Sequence, residues 1–92
     1  MRIKDVKQFE ELICATVDEY LRETECYDQP VLAIWREKGE HHVVIDEPSK
    51  LPHRKDMETY PIDEVVRPIP DGYEPESDRI SAIANEWVFI EH

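Results

Sequence analysis

Residues 31–46 read VLAIWREKGEHHVVID, and this stretch decides the fold. Two runs, Val31–Arg36 and His41–Asp46, are rich in β-branched and aromatic residues and are joined by a glycine-containing connection. This pattern predicts a β-hairpin in which Gly39 takes the positive φ of a bulged turn. Both faces of the first strand are apolar, so we expect this strand to be central in its sheet or covered on both sides.

Two amphipathic helix patterns flank the hairpin. Asp5 and Gln8 have the spacing of a capping box, which predicts a helix over Val6–Glu23. Its apolar residues recur at helical spacing: Val6, Phe9, Leu12, Ile13, Val17, Tyr20 and Leu21. Ser77 or Asp78 is expected to cap a second helix near the carboxyl end. Its apolar face would consist of Ile80, Ile83, Ala84 and Trp87.

The remaining segments give weaker patterns. Met57–Ile62 predicts a third strand that ends at Tyr60, with one helical turn over Pro61–Val66 as the alternative. The proline-rich stretch 68–75 predicts an irregular connection. Residues Val88–Ile90 are suited to a final edge strand.

These elements together predict the architecture of the chain. We expect one small α+β domain over residues 1–92, with an N-terminal helix, a hairpin extended by a third and a C-terminal strand, and a second helix. A hairpin alone is only marginally stable and needs helices to cover it. Both helices are therefore expected to pack on one small antiparallel sheet.

The charge of the chain narrows the classes of partner. The sequence holds 22 Asp and Glu against 11 Lys and Arg, for a net charge of −11. Such a charge disfavours binding to nucleic-acid phosphates and to anionic membranes, because binding to either depends on basic side chains. The excess charge fits either a solvated surface or a face directed at a basic protein partner.

The sequence also predicts the environment of the protein. No apolar run resembles a signal peptide or a membrane span, so we expect a cytoplasmic protein. Cys14 and Cys26 match neither a redox motif nor a zinc ligand pair, and reduced thiols are expected.

Residues suited to chemistry are few. The sequence contains no nucleophile motif, and two glycines cannot build a phosphate-binding loop. His41 and His42 are neighbours in a strand, so their side chains would point to opposite faces and cannot easily share a metal. We therefore expect no catalytic residue, no metal ligand set and no cofactor. The alternative is a minimal enzyme or metal site built from His41, His53 and nearby carboxylates.

The sequence favours a small interaction or regulatory module without catalysis, as a monomer or weak homodimer. Its acidic third, Asp63–Glu91, and a mobile basic loop, Lys50–Lys55, would present opposite charges to a protein partner. The expected binding residues are Trp35, Lys50, Arg54, Lys55, Tyr60 and Tyr73. A further alternative is an acidic mimic of nucleic acid, which would bind a nucleic-acid-binding protein.

Overall fold

The computed structural model of the chain describes residues 5–23 and 26–89, with only the backbone for residues 88 and 89. Its fold confirms the predicted α+β class. The helices are α1 (Val6–Arg22) and α2 (Ser77–Phe89), and two short 3-10 helices span Pro48–Lys50 and Ile62–Glu64. The strands are β1 (Val31–Glu37), β2 (Glu40–Asp46), β3 (Glu58–Pro61), β4 (Val66–Ile69) and β5 (Gly72–Pro75).

Helix α1 begins where the capping residue was predicted. The carboxylate of Asp5 accepts a hydrogen bond from the backbone N–H of Gln8 at 2.8 Å, which satisfies a donor that the first turn leaves unpaired. Phe9, Ile13 and Val17 are fully buried, as the helical spacing predicted. Burial of this stripe is what stabilises the helix in the folded protein.

Strands β1 and β2 form the predicted hairpin, but its turn is tighter than expected. Glu37 pairs directly with Glu40, so only Lys38 and Gly39 remain in the turn. Both turn residues have positive φ, 54° and 81°. That geometry belongs to a two-residue type I′ turn, whose twist matches the flanking strands, and it replaces the bulged turn that the sequence predicted.

Strand β1 is central in a three-stranded sheet of order β2-β1-β3. Leu32 and Ile34 are fully buried on the face that packs in the main core with the helices. Ala33, which points to the opposite face, is 0% exposed as well. The expectation of a strand covered on both faces is therefore confirmed.

The third strand is confirmed as β3, which begins and ends one residue later than predicted. Because β2 and β3 pair with opposite edges of β1, the chain between them must pass from one side of β1 to the other. This crossover, residues 47–57, begins with the Pro48–Lys50 3-10 helix and contains the buried Leu51. Leu51 is not part of the main core, and Ala33 is buried on the face away from the helices, so we assign the crossover to that second face.

The stretch 68–75 is not the irregular connection that its prolines suggested. Strands β4 and β5 pair as a second, two-stranded antiparallel sheet, which we call the ribbon. Pro70 and Asp71 form its turn. Pro68 pairs with Tyr73, and Pro75 pairs with Val66. In an antiparallel ladder, pairs that exchange hydrogen bonds alternate with pairs that do not, and both prolines lie in pairs of the second kind. The two prolines therefore leave the ribbon intact.

Helix α2 buries the predicted face, Ile80, Ile83, Ala84 and Trp87. Its start differs slightly from the expectation, because Ser77 is already helical and the carboxylate of Glu76 accepts the N–H of Asp78 at 3.2 Å. Residues 88 and 89 continue the helix rather than forming an edge strand, and Ile90 lies outside the described residues. Helices α1 and α2 pack against each other over the three-stranded sheet.

Candidate functional site

Trp35 lies on the crossover face of the sheet rather than beneath α1. Its ring stacks on the ring of His42, with centroids 5.2 Å apart and planes 12° from parallel. The Nε2 atom of His42 is 3.8 Å from a carboxylate oxygen of Glu37. Trp35 is half-buried by these neighbours, so only part of its ring is available to a partner.

The predicted basic loop is largely engaged within the molecule. Arg54 donates hydrogen bonds to Glu37 at 3.1 Å, to Asp56 at 3.1 Å and to the backbone carbonyl of Arg36 at 3.2 Å. The hydrogen bond from Arg54 holds the pKa of Asp56 below its usual value. Arg54 therefore connects the crossover to the end of β1. Its primary role is structural, and any role in binding a partner is secondary.

The two lysines of this loop differ from Arg54 in their surroundings. Lys50 pairs with Glu47 at 3.1 Å, across one turn of the 3-10 helix. The hydrogen bond from Lys50, together with one from the N–H of Asp28, lowers the pKa of Glu47. Lys55 is exposed. The positive charge that the loop can offer to a partner is consequently smaller than the sequence suggested.

Tyr60 belongs to a hydrogen-bonded chain at the edge of the core. Its hydroxyl accepts from Nε1 of Trp87 at 3.3 Å and donates to Glu58 at 2.7 Å. Burial and the neighbouring Glu58 carboxylate raise the pKa of Tyr60 well above the ordinary tyrosine value. Tyr60 is half-buried rather than exposed, and its contacts join β3 to α2.

The raised pKa of Tyr60 predicts a loss of stability in alkali. The unfolded chain releases the tyrosine proton above about pH 10 while the folded protein retains it, so stability falls as the pH rises beyond that value. In Tyr60→Phe this contribution is absent, although the variant starts less stable because two hydrogen bonds are lost. We expect the difference in unfolding free energy between wild type and Tyr60→Phe to shrink above about pH 10. Urea unfolding at several pH values measures it, and a pH-independent difference would contradict the expectation.

Tyr73 is the exposed aromatic residue among the expected binding residues, since Trp35 and Tyr60 are half-buried. It is 61% exposed, and Ile69 on the same ribbon is 38% exposed. Pro68 and Tyr73 face each other across the ribbon, as do Val66 and Pro75, and the two pairs are two positions apart along the strands. All four side chains therefore lie on one face of the ribbon, while Ile69 lies on the other.

An acidic groove lies at the base of the ribbon. Four carboxylates line it: Asp63, Glu64, Glu76 and Asp78. Val66 and Arg79 also line the groove, so one guanidinium faces four carboxylates. The groove arises because the ribbon brings Glu76, which follows β5, back beside Val65, which precedes β4. There the N–H of Glu76 donates to the carbonyl of Val65 at 2.9 Å. Four of the eight Asp and Glu residues of Asp63–Glu91 therefore lie together at this groove.

The histidines lie on opposite faces of β2, as the strand pattern predicted. His41 packs its ring edge-on against Phe9, with centroids 4.9 Å apart, and lies 6.3 Å from the ring centroid of Trp87. His53 lies in the crossover, near the opposite face of the sheet. Over residues 5–23 and 26–89, no three His, Cys, Asp or Glu side chains come together in the manner of metal ligands.

The two cysteines are free thiols. Burial of Cys14 on α1, together with the nearby carboxylates of Glu10 and Asp18, raises the pKa of its thiol. A raised pKa keeps the thiol protonated at neutral pH and therefore weakly nucleophilic. Cys26 is exposed on the connection between α1 and β1.

No model of a known protein family matches this chain, and no curated protein or solved structure shows significant similarity to it. In the part of the chain that the structure describes, no helix is both long and apolar enough to span a membrane. The residues that remain as the best candidate site are the acidic groove and the ribbon face beside it.

Proposed function

We propose that this protein is a small interaction module that binds a basic segment of a protein partner through the acidic groove. The observation that carries the proposal is the convergence of Asp63 and Glu64, from one side of the ribbon, with Glu76 and Asp78 from the other. A concave surface with one sign of charge raises the local concentration of oppositely charged ligands and speeds their association.

Among the described residues, the internal ion pairs do not involve the carboxylates of this groove. Arg54 and Lys50 engage carboxylates on the other side of the sheet, so those carboxylates are already neutralised. Within the ribbon, Arg67 pairs with Glu74. Asp63 and Glu64 are exposed, and among the described residues neither forms an ion pair within 4.0 Å. Their charge is available to a partner.

A matched pair of charge variants tests the proposal. Asp63→Asn with Glu64→Gln removes two charges from the groove, and Asp18→Asn with Glu19→Gln removes the same two charges from the exposed side of α1. A peptide of repeated Lys-Ser-Ser-Ser units serves as the basic probe. We expect the groove variant to bind it roughly three- to tenfold more weakly at low ionic strength, and the α1 variant to bind it nearly as well as wild type. Equal effects of the two variants would contradict the proposal.

The same variants identify a partner in a native extract. Proteins captured by wild type and by the α1 variant, but lost with the groove variant, would bind through the groove. Their binding should weaken as salt is added, because the groove contacts are exposed and screened. Identical sets of captured proteins for all three baits would show that the groove is not the binding surface.

A further inference from the structure

The outer part of the ribbon face carries apolar surface that stays exposed. Its outer pair, Pro68 and Tyr73, is exposed. In the described part of the chain two large apolar side chains are exposed, Tyr73 and Ile69, and Tyr73 has the larger exposed fraction. The inner pair of the ribbon face, Val66 and Pro75, is half-buried, and Val66 packs against the core. The face therefore runs from the domain body outwards as an apolar strip.

The ribbon is poorly suited to strand addition, the commonest use of an exposed sheet edge. Pro68 on β4 and Pro75 on β5 lie at positions whose N–H would point away from the ribbon, and proline has none to offer. Each outer edge consequently lacks a donor that an added strand needs. A partner would have to use the face of the ribbon rather than its edge.

The strip continues into the acidic groove through one residue. Val66 lines the groove and also belongs to the ribbon face. Two residues along a strand span about 7 Å, so Tyr73 and Pro68 lie about that far beyond Val66 and Pro75. In an extended peptide, side chains two positions apart point the same way with the same separation. The strip and the groove thus match a basic residue and an apolar residue at positions i and i+2.

We infer that the ribbon face binds an apolar or aromatic side chain of the basic segment, placed two residues from a lysine or arginine that enters the groove. Charge complementarity selects this occupant, because a second copy of this chain would bring a net charge of −11 to a surface that is already acidic. Aromatic side chains such as Tyr73 are frequent anchors in interfaces. The inference rests on the proposed function and adds the class of sequence that the partner segment should contain.

Two probes and two variants test the inference. The first probe repeats Lys-Ser-Phe-Ser, and the second repeats Lys-Ser-Ser-Ser with the same charge. Tyr73→Ser removes the exposed ring from the ribbon face, and Ile69→Ser removes an exposed side chain from the opposite face of the same ribbon. We expect Tyr73→Ser to bind the phenylalanine probe about tenfold more weakly while its binding of the serine probe is unchanged. Ile69→Ser should bind both probes as wild type does.

The outcomes separate the two proposals. If Tyr73→Ser binds the phenylalanine probe as tightly as wild type, the ribbon inference is overturned, while a weakened groove variant still supports the proposed function. If the groove variant binds both probes like wild type, the proposed function itself fails. Amide chemical-shift changes confined to the ribbon and the groove would support the inference, and changes centred on the crossover would overturn it. Because Tyr73 and Ile69 are exposed, both variants are expected to fold, and their amide spectra verify this.

Discussion

Replacing Trp87 with alanine is expected to lower the free energy of unfolding by about 3–5 kcal/mol, the range for removing a buried large aromatic side chain. Trp87 is 1% exposed and is the largest of the fully buried side chains in the described residues. Its indole N–H also donates to the hydroxyl of Tyr60, so truncation leaves that hydroxyl with one bond fewer. Small domains have a total stability of roughly 5–15 kcal/mol, and the variant would therefore be close to unfolding.

Urea unfolding followed by far-ultraviolet circular dichroism measures this loss. Trp35→Ala is the matched control, because it removes the same side chain from a half-buried position where the ring stacks on His42. We expect the control to lose much less stability than Trp87→Ala. Trp87→Phe should fall between wild type and Trp87→Ala, since it refills most of the volume but cannot donate to Tyr60. Similar losses in the two alanine variants would show that Trp87 does not hold α2 on the sheet.

The elements with strong local periodicity were predictable from the sequence. Helix α1 combines a capping residue, Asp5, with an apolar stripe, and the main hairpin combines β-branched runs with Gly39. The central position of β1 also followed from the sequence, because a strand with two apolar faces needs cover on both. The exact turn could not be predicted from the sequence, because it is fixed by the pairing of Glu37 with Glu40. That pairing is one of several possible registers, and tertiary contacts select among them.

The ribbon was missed because its strands are short and its prolines resemble breakers. Four residues per strand are too few to show an alternating pattern, and Pro68 and Pro75 are tolerated only through their phase in the ladder. One signal was present: Gly72, with φ of 145°, follows directly after the Pro70-Asp71 turn. Gly72 could have indicated a hairpin at this point, since proline followed by aspartate and glycine is typical of turns.

Missing the ribbon also meant missing the shape of the candidate site. The acidity of residues 63–91 was evident from the sequence, but its concentration in a groove depends on the ribbon bringing Glu76 back beside Val65. The opposite error concerned the basic loop. Charge counting treated Arg54 as available, whereas it is hydrogen-bonded to Glu37, a residue 17 positions away in the sequence. Contacts between distant residues decide whether a surface charge is free, and local patterns do not contain them.

Leu51→Ala is expected to lower the free energy of unfolding by about 2–3 kcal/mol, near the low end for a buried leucine because 9% of the side chain is exposed. Leu51 is the buried apolar residue of the crossover and lies outside the helix-side core. If the crossover closes the second face of the sheet, losing Leu51 should loosen that face and leave the packing of α1 and α2 unchanged. The sheet would then be covered on one face by both helices and their core, and on the other face only by the crossover.

Hydrogen exchange distinguishes a local from a global effect in this variant. Backbone amides of the crossover should exchange faster, as should those of Arg36 and Glu37, where Arg54 attaches the crossover to β1. Amides in the middle of α1 should change only as far as the lower global stability requires. Lys55→Ala, an exposed change in the same segment, is the control and should alter neither stability nor exchange. A loss below about 1 kcal/mol, or faster exchange spread evenly over the helices, would show that Leu51 does not close this face.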